Sequence, residues 1–233
     1  MTDSFRLRVG AIALILGAVA LFIAQRIRPD AGHVDVPGIL RSVQASSGAA
    51  STASLLYLAA AALLVTGFVA VPSAIAAGRG SRLIYAAAGL TAVGAVWYGV
   101  EAALMQFVAV LASSPDVAAA AAQLDRLNAG FGTIALLPWF FYLAPLGVAI
   151  ALRRAQLVGV WLIGLWALGF LVGFTANSPL GESMPGLAVV NDAALSAIVV
   201  AIGLVVAVRR SGSPGVAAEH SVGTQPSSAA GAA

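Results

Sequence analysis

Six long apolar stretches, each almost free of charge, fill most of this 233-residue chain. A helix of about 18 or more apolar residues is long enough to cross the hydrocarbon core of a bilayer. The stretches run approximately over 8–25, 53–77, 83–111, 129–152, 157–175 and 187–208. None alternates polar and apolar residues with a period of two, so helices are expected rather than barrel strands. Pro72, Pro138 and Pro145 fall inside the stretches, where neighbouring helices can satisfy the backbone groups that a proline frees. The expected fold is all-α: a polytopic transmembrane bundle of six helices over residues 1–210, followed by a disordered cytoplasmic tail over 211–233 rich in Ser, Gly, Ala and Pro.

Charge placement supports this reading and orients it. Only 9% of residues are charged and 61% are hydrophobic, against roughly 25% charged in soluble domains. All twelve basic residues are arginines. Four pairs, Arg6/Arg8, Arg79/Arg82, Arg153/Arg154 and Arg209/Arg210, recur at every second loop, while Arg26, Arg28, Arg41 and Arg126 share the opposite face with several acids. Short cytoplasmic loops carry the arginine excess, so both termini are expected inside. Arg26 and Arg28 crowd the outer end of the first span and are expected to snorkel to the headgroups. Arginine in place of lysine, with abundant Ala, Gly and Val, points to a GC-rich bacterial genome and thus to the bacterial plasma membrane. The Ala18-Val19-Ala20 triplet looks like a signal-peptide cleavage site, but the apolar run continues through Ala24 as an anchor would.

The loops carry signals of their own. In the first outer loop, after Pro37 and Gly38, the residues Ile39, Leu40 and Val43 suit one short helical turn lying in the membrane interface. Ser114-Pro115-Asp116 is a helix-start signal ahead of an alanine run that leads into the fourth span. Asn177 to Gly186 reads as a turn.

Ionisable groups at membrane depth are expensive to hold and are the first functional candidates. Two qualify: Glu101 in the third span, and Asp192 beside Asn191 in the sixth. Glu101 is 19 residues from Arg82, about 28 Å along a helix, and Asp192 is 17 residues from Arg209, about 26 Å. The carboxyls are therefore expected at similar depth in the outer half of the bundle. Trp97 and Tyr98 lie within about a turn of Glu101, and Trp139 lies at a comparable level on the fourth span. These residues define an expected outward-facing pocket with aromatic walls, suited to a cationic or amphipathic small molecule. Their alternative is packing, with Asp192 capping the start of the sixth helix. Gly169 and Gly173 form a Gly-x-x-x-Gly face on the fifth span that lets a helix of the same chain, or of a second copy, approach closely.

Other chemistries are disfavoured. There is no cysteine, and the two histidines, His33 and His220, lie outside every span. Thiolate catalysis, cysteine or histidine metal sites and histidine-ligated haem are not expected. No nucleophile elbow, His-Glu-x-x-His helix, P-loop or dinucleotide fingerprint occurs. No cofactor, no nucleic-acid partner and no enzymatic activity are expected. The layout of a long first outer loop bearing Val36-Pro37-Gly38-Ile39-Leu40, a third helix bearing Glu101, and a closely linked later helix pair resembles that of functionally uncharacterised six-span bacterial membrane proteins, a family built on a domain of unknown function. That resemblance implies the architecture and no catalytic residue. Two functions remain open: a non-catalytic accessory or structural membrane component, which explains the scarcity of buried polar groups most simply, and a small-molecule binding or transport protein using Glu101 and Asp192. Its partners would be the lipid bilayer and another membrane protein or a second copy.

Overall fold

A computed structural model describes residues 3–30, 35–75, 81–130, 136–176 and 186–208. Among these, every regular element is helical: α1 (Asp3–Ile27), α2 (Val36–Ala45), α3 (Ser47–Ala70) continued by a 3-10 turn (Val71–Ala74), α4 (Ser81–Ala112), α5 (Val117–Gly130), α6 (Leu137–Arg154), α7 (Trp161–Ala176) and α8 (Gly186–Val208). Four segments are long and apolar enough to cross a membrane: Phe5–Ile27, Ser47–Ala74, Ser81–Ala112 and Gly186–Val208. The fourth and fifth expected spans are shorter as helices. α6 has 18 residues and ends on Arg153 and Arg154, and α7 has 16 residues.

Local chemistry explains where these helices begin and end. Pro72 converts the end of α3 into the 3-10 turn, because a proline has no N–H for the α-helical ladder and clashes with the preceding turn. Pro138 occupies the first turn of α6, the position where its missing N–H costs nothing. The helix expected from 129 therefore starts at Leu137 instead, and 129 and 130 close α5. α7 starts at Trp161 rather than 157, because the chain turns at Gln156 with φ of 59°. The 211–233 tail, the 177–185 turn, both histidines, and the arginines at 79, 209 and 210 lie outside the described residues.

The long helices pack in the spatial order α7, α8, α1, α3, α4, α6, and α6 meets α7 again to complete the circuit. Small residues set the spacing. On α1, Gly10 lies against Ala70, and on α3 Gly67 lies against Leu14, where a methyl would fall 2.5 Å from the Leu14 Cγ. Between α4 and α6 the approach is backbone to backbone: a methyl on Gly94 would lie 2.8 Å from the Phe141 Cα. Such contacts suit association in lipid, where van der Waals packing replaces the hydrophobic effect as the driving force. Tyr57, Phe68 and Phe141 are the largest fully buried side chains of the resulting core.

A second, smaller core sits at one end of the bundle. α4 has 32 residues, about 48 Å of helix, which exceeds a hydrocarbon core of about 30 Å. Its last turns carry Met105, Val108 and Leu111, and these are covered by Leu40 and Val43 of α2 and by Leu124 of α5. Asp35 caps α2 by accepting from the Gly38 N–H at 2.9 Å, and Asp116 does the same for Ala119 of α5 at 2.9 Å. The single turn expected at Ile39, Leu40 and Val43 is instead part of a ten-residue helix. Leu40 and Val43 are buried against protein, at 3% and 0% exposure, while Ile39 is half-buried beside them.

Candidate functional site

Two arginines at the end of α1 organise the polar residues below this cap. Arg26 lies in the last turn of α1, and the Arg28 N–H continues the helical pattern by bonding to the Ala24 carbonyl at 3.1 Å. Residues two apart on a helix point in nearly opposite directions. α1 is flanked by α3 on one side and α8 on the other, so the two guanidinium groups diverge into different seams.

Arg26 reaches α8. Its Nη2 pairs with the Asp192 Oδ2, and the guanidinium lies 6.0 Å from the Phe22 ring centroid one turn below. Arg28 reaches α3 and α4. It grips Asp30 with two donors, Nε to Oδ1 at 2.9 Å and Nη2 to Oδ2 at 2.6 Å, the forked geometry that makes arginine–carboxylate pairs strong. Its remaining Nη1 donates to the Tyr57 hydroxyl at 3.2 Å and lies 3.7 Å from the Glu101 Oε2. Burial alone would favour losing the Arg28 proton, but the bond to Asp30 and the oxygens of Tyr57 and Glu101 outweigh it, so its pKa is raised above the ordinary arginine value.

Glu101 is held from its own helix as well. The Trp97 indole N–H donates to Oε1 at 2.9 Å, the i to i+4 reach of an α-helix. One turn along α3 from Tyr57, the Ser54 hydroxyl donates to the Ala102 carbonyl at 2.9 Å and clamps α3 to α4. Tyr98 is buried, stacked on Tyr57 with ring centroids 6.2 Å apart and edge-on to Phe141 at 5.0 Å. The carboxylates are shielded but not sealed: side-chain exposures are 22% for Glu101, 12% for Asp192 and 15% for Asp30.

Asn191 belongs to an adjoining seam. It packs on Gly173 of α7 and lines a narrow cleft with Tyr142, Trp166, Gly169, Phe170 and Leu195. The Trp166 N–H closes one wall by donating to the Tyr142 carbonyl at 2.9 Å. The cleft has room for about one water molecule. Gly169 packs on Ala194 and Ile198 of α8, so the glycine face of α7 serves a helix of the same chain.

Sequence reasoning thus located both acids, and the structure sets Trp97 and Tyr98 beside Glu101. Asp192 lies within α8 and pairs with Arg26, so capping of that helix is not its contact. Trp139 does not line the cleft and is 50% exposed on α6. The largest correction concerns Arg26 and Arg28. They turn inward to the acids instead of reaching outward to headgroups, because a carboxylate in a low-dielectric seam attracts a guanidinium more strongly than one in water does. Tyr57, Asp30 and Tyr142 were not foreseen. One signal was present in the sequence: two arginines closing the first apolar stretch, at the level expected for the two acids. Among the described residues, no group of three His, Cys, Asp or Glu is disposed to hold a metal ion. Comparison with known protein families, with characterised proteins and with solved structures returned no match, so the functional reading rests on this geometry.

Proposed function

We propose that the chain is a six-span protein of the bacterial plasma membrane, with both termini in the cytoplasm, and that it acts as a non-catalytic accessory or structural component. The four long apolar helices supply the foundation. α6 and α7 complete the count, since 18 and 16 residues reach about 27 and 24 Å, and a shortfall of a few ångströms is absorbed by local thinning at modest cost. Packing of Gly10 on Ala70 and of Gly147 on Ala87 puts the start of α1, the start of α4 and the end of α6 at one end of the bundle. Arg6, Arg8, Arg82, Arg153 and Arg154 are all exposed there, as the cytoplasmic end requires.

One observation carries the functional half of the proposal: both deep acids are already engaged by guanidinium groups of the same chain. A network of this kind ties α1, α3, α4 and α8 together at one level and leaves a stiff scaffold whose lipid-facing surfaces are its means of contact. Crosslinking in native membranes tests it. A stoichiometric adduct with one membrane protein is expected, and a monomer that remains solitary at every crosslinker length contradicts the accessory reading. The competing reading, binding or transport of a small cation, draws on the count of three carboxylates against two guanidiniums in the network. It predicts stabilisation of the protein by a cationic solute that is lost in Glu101→Gln.

A further inference from the structure

The arginines of α1 are arranged almost symmetrically. Arg6 and Arg8 stand near its start and Arg26 and Arg28 at its finish, each pair two residues apart. A span is oriented chiefly by the difference in arginine and lysine between its two flanks. For α1 the flanks carry two arginines, Arg6 and Arg8, against three, Arg26, Arg28 and Arg41, so on their own they do not direct Arg6 and Arg8 to the cytoplasm.

The structure supplies the missing direction from elsewhere. Arg6 and Arg8 are exposed, whereas Arg26 pairs with Asp192 of α8 and Arg28 is held by Asp30 and faces Glu101 of α4. Solvated carboxylates count for little in setting orientation. Carboxylates in contact with the arginines, in a seam between helices, do count, because they cancel those charges where a free charge is costly. The effective difference across α1 then favours Arg6 and Arg8 on the cytoplasmic side. The membrane potential acts in the same sense, at about 2.3 kcal/mol per uncompensated charge per 100 mV.

We infer that Asp192 and Glu101, together with Asp30, are orientation determinants for α1: they cancel Arg26 and Arg28 at the non-cytoplasmic end and thereby hold the N-terminal arginines in the cytoplasm. This assigns the two deep acids an activity in membrane assembly, and it rests on the six-span orientation proposed above. The capture is reciprocal in one respect. Asp192 and Glu101 would be expensive solitary charges in their spans, and the arginines that they orient remove that expense.

The test uses the cysteine-free full chain in intact cells, with Thr2→Cys, Ser46→Cys and Ser81→Cys made singly and treated with a membrane-impermeant maleimide. In the parent, label is expected at position 46 alone. In Asp30→Asn/Glu101→Gln/Asp192→Asn, a several-fold rise of labelling at position 2 and a matching fall at position 46 are expected. Adding Arg26→Gln and Arg28→Gln to that variant should restore the parental pattern, since the arginine difference then points inward without help. Two results overturn the inference: position 2 staying protected in the acid-free variant, or staying labelled after the arginines are also removed. The latter would mean that loss of the acids merely damages the bundle. Labelling of position 81 in the parent would instead overturn the six-span orientation itself.

Discussion

Removing Arg28 and Glu101 singly and together should show that they are energetically coupled. The Nη1 to Oε2 separation is 3.7 Å, and at an effective dielectric constant of about 20 two unit charges at that range attract by about 4 kcal/mol. Two features reduce the share that the pair retains. The same guanidinium is gripped more closely by Asp30, at 2.6 Å, and both side chains keep some solvent, at 27% and 22% exposure. We expect a coupling of about 1–2 kcal/mol, within the range found for contacting residues. Arg28→Gln also removes the Arg28–Asp30 pair, but that loss occurs in the single and the double variant alike and cancels in the cycle. The Trp97 bond to Glu101 cancels in the same way. The assay is equilibrium unfolding in mixed micelles of Arg28→Gln, Glu101→Gln and Arg28→Gln/Glu101→Gln beside the parent, with helicity as the signal. Single effects that add to within about 0.3–0.5 kcal/mol would refute the contact, and with it the argument that Glu101 is already occupied.

Other perturbations separate the packing features. Gly94→Ala should destabilise by about 1–3 kcal/mol, because its methyl meets the backbone of α6 and cannot be relieved by a side-chain rotation. Gly89→Ala on the same helix meets nothing within 4 Å and should be neutral or stabilising by up to about 1 kcal/mol; equal effects in the same unfolding assay would contradict the close α4–α6 approach. Gly173→Val should separate α7 from α8 by displacing Asn191, seen as faster proteolysis between those helices, and unchanged proteolysis would count against that seam. Leu40→Ala, at a site with 3% exposure, should weaken the α2–α4–α5 cap by about 2–5 kcal/mol. Amide exchange should then accelerate in α2 and α5 while α1 and α3 keep their protection; uniform acceleration would mean that the cap is not a separate unit.

The helices were legible in the sequence where one rule acted alone. α4 and α8 match the expected spans closely because uninterrupted apolar runs leave a chain in hydrocarbon no alternative to internal hydrogen bonds. The reading was weaker where two signals competed. Around Pro138, apolarity extended the fourth span backwards while the proline set the true start of the helix. At Leu40 and Val43, an amphipathic pattern was correct in kind, yet no pattern states whether the apolar side meets lipid or protein. The site divides similarly. Glu101 and Asp192 stand out because charge is rare at their depth. Their arginine partners were visible but read by a rule for isolated helices, and only the neighbours of α1 decide which way Arg26 and Arg28 turn. Tyr57 carries no distinguishing mark in a run of leucine and alanine. Its importance follows from tertiary position alone.

The first long helix and the last are adjacent in space, and the bond joining them links residues 166 positions apart. Ribosomes add roughly 5–20 residues per second, so Arg26 emerges roughly 8–33 s before its carboxylate exists. During that interval the nascent chain holds an unmatched cation at a membrane boundary, dependent on water, lipid phosphate or the insertion machinery for company. On the orientation role inferred for Asp192, α1 is held in its final sense only once α8 has been made, so a chain that stops short of α8 should show α1 in mixed orientation.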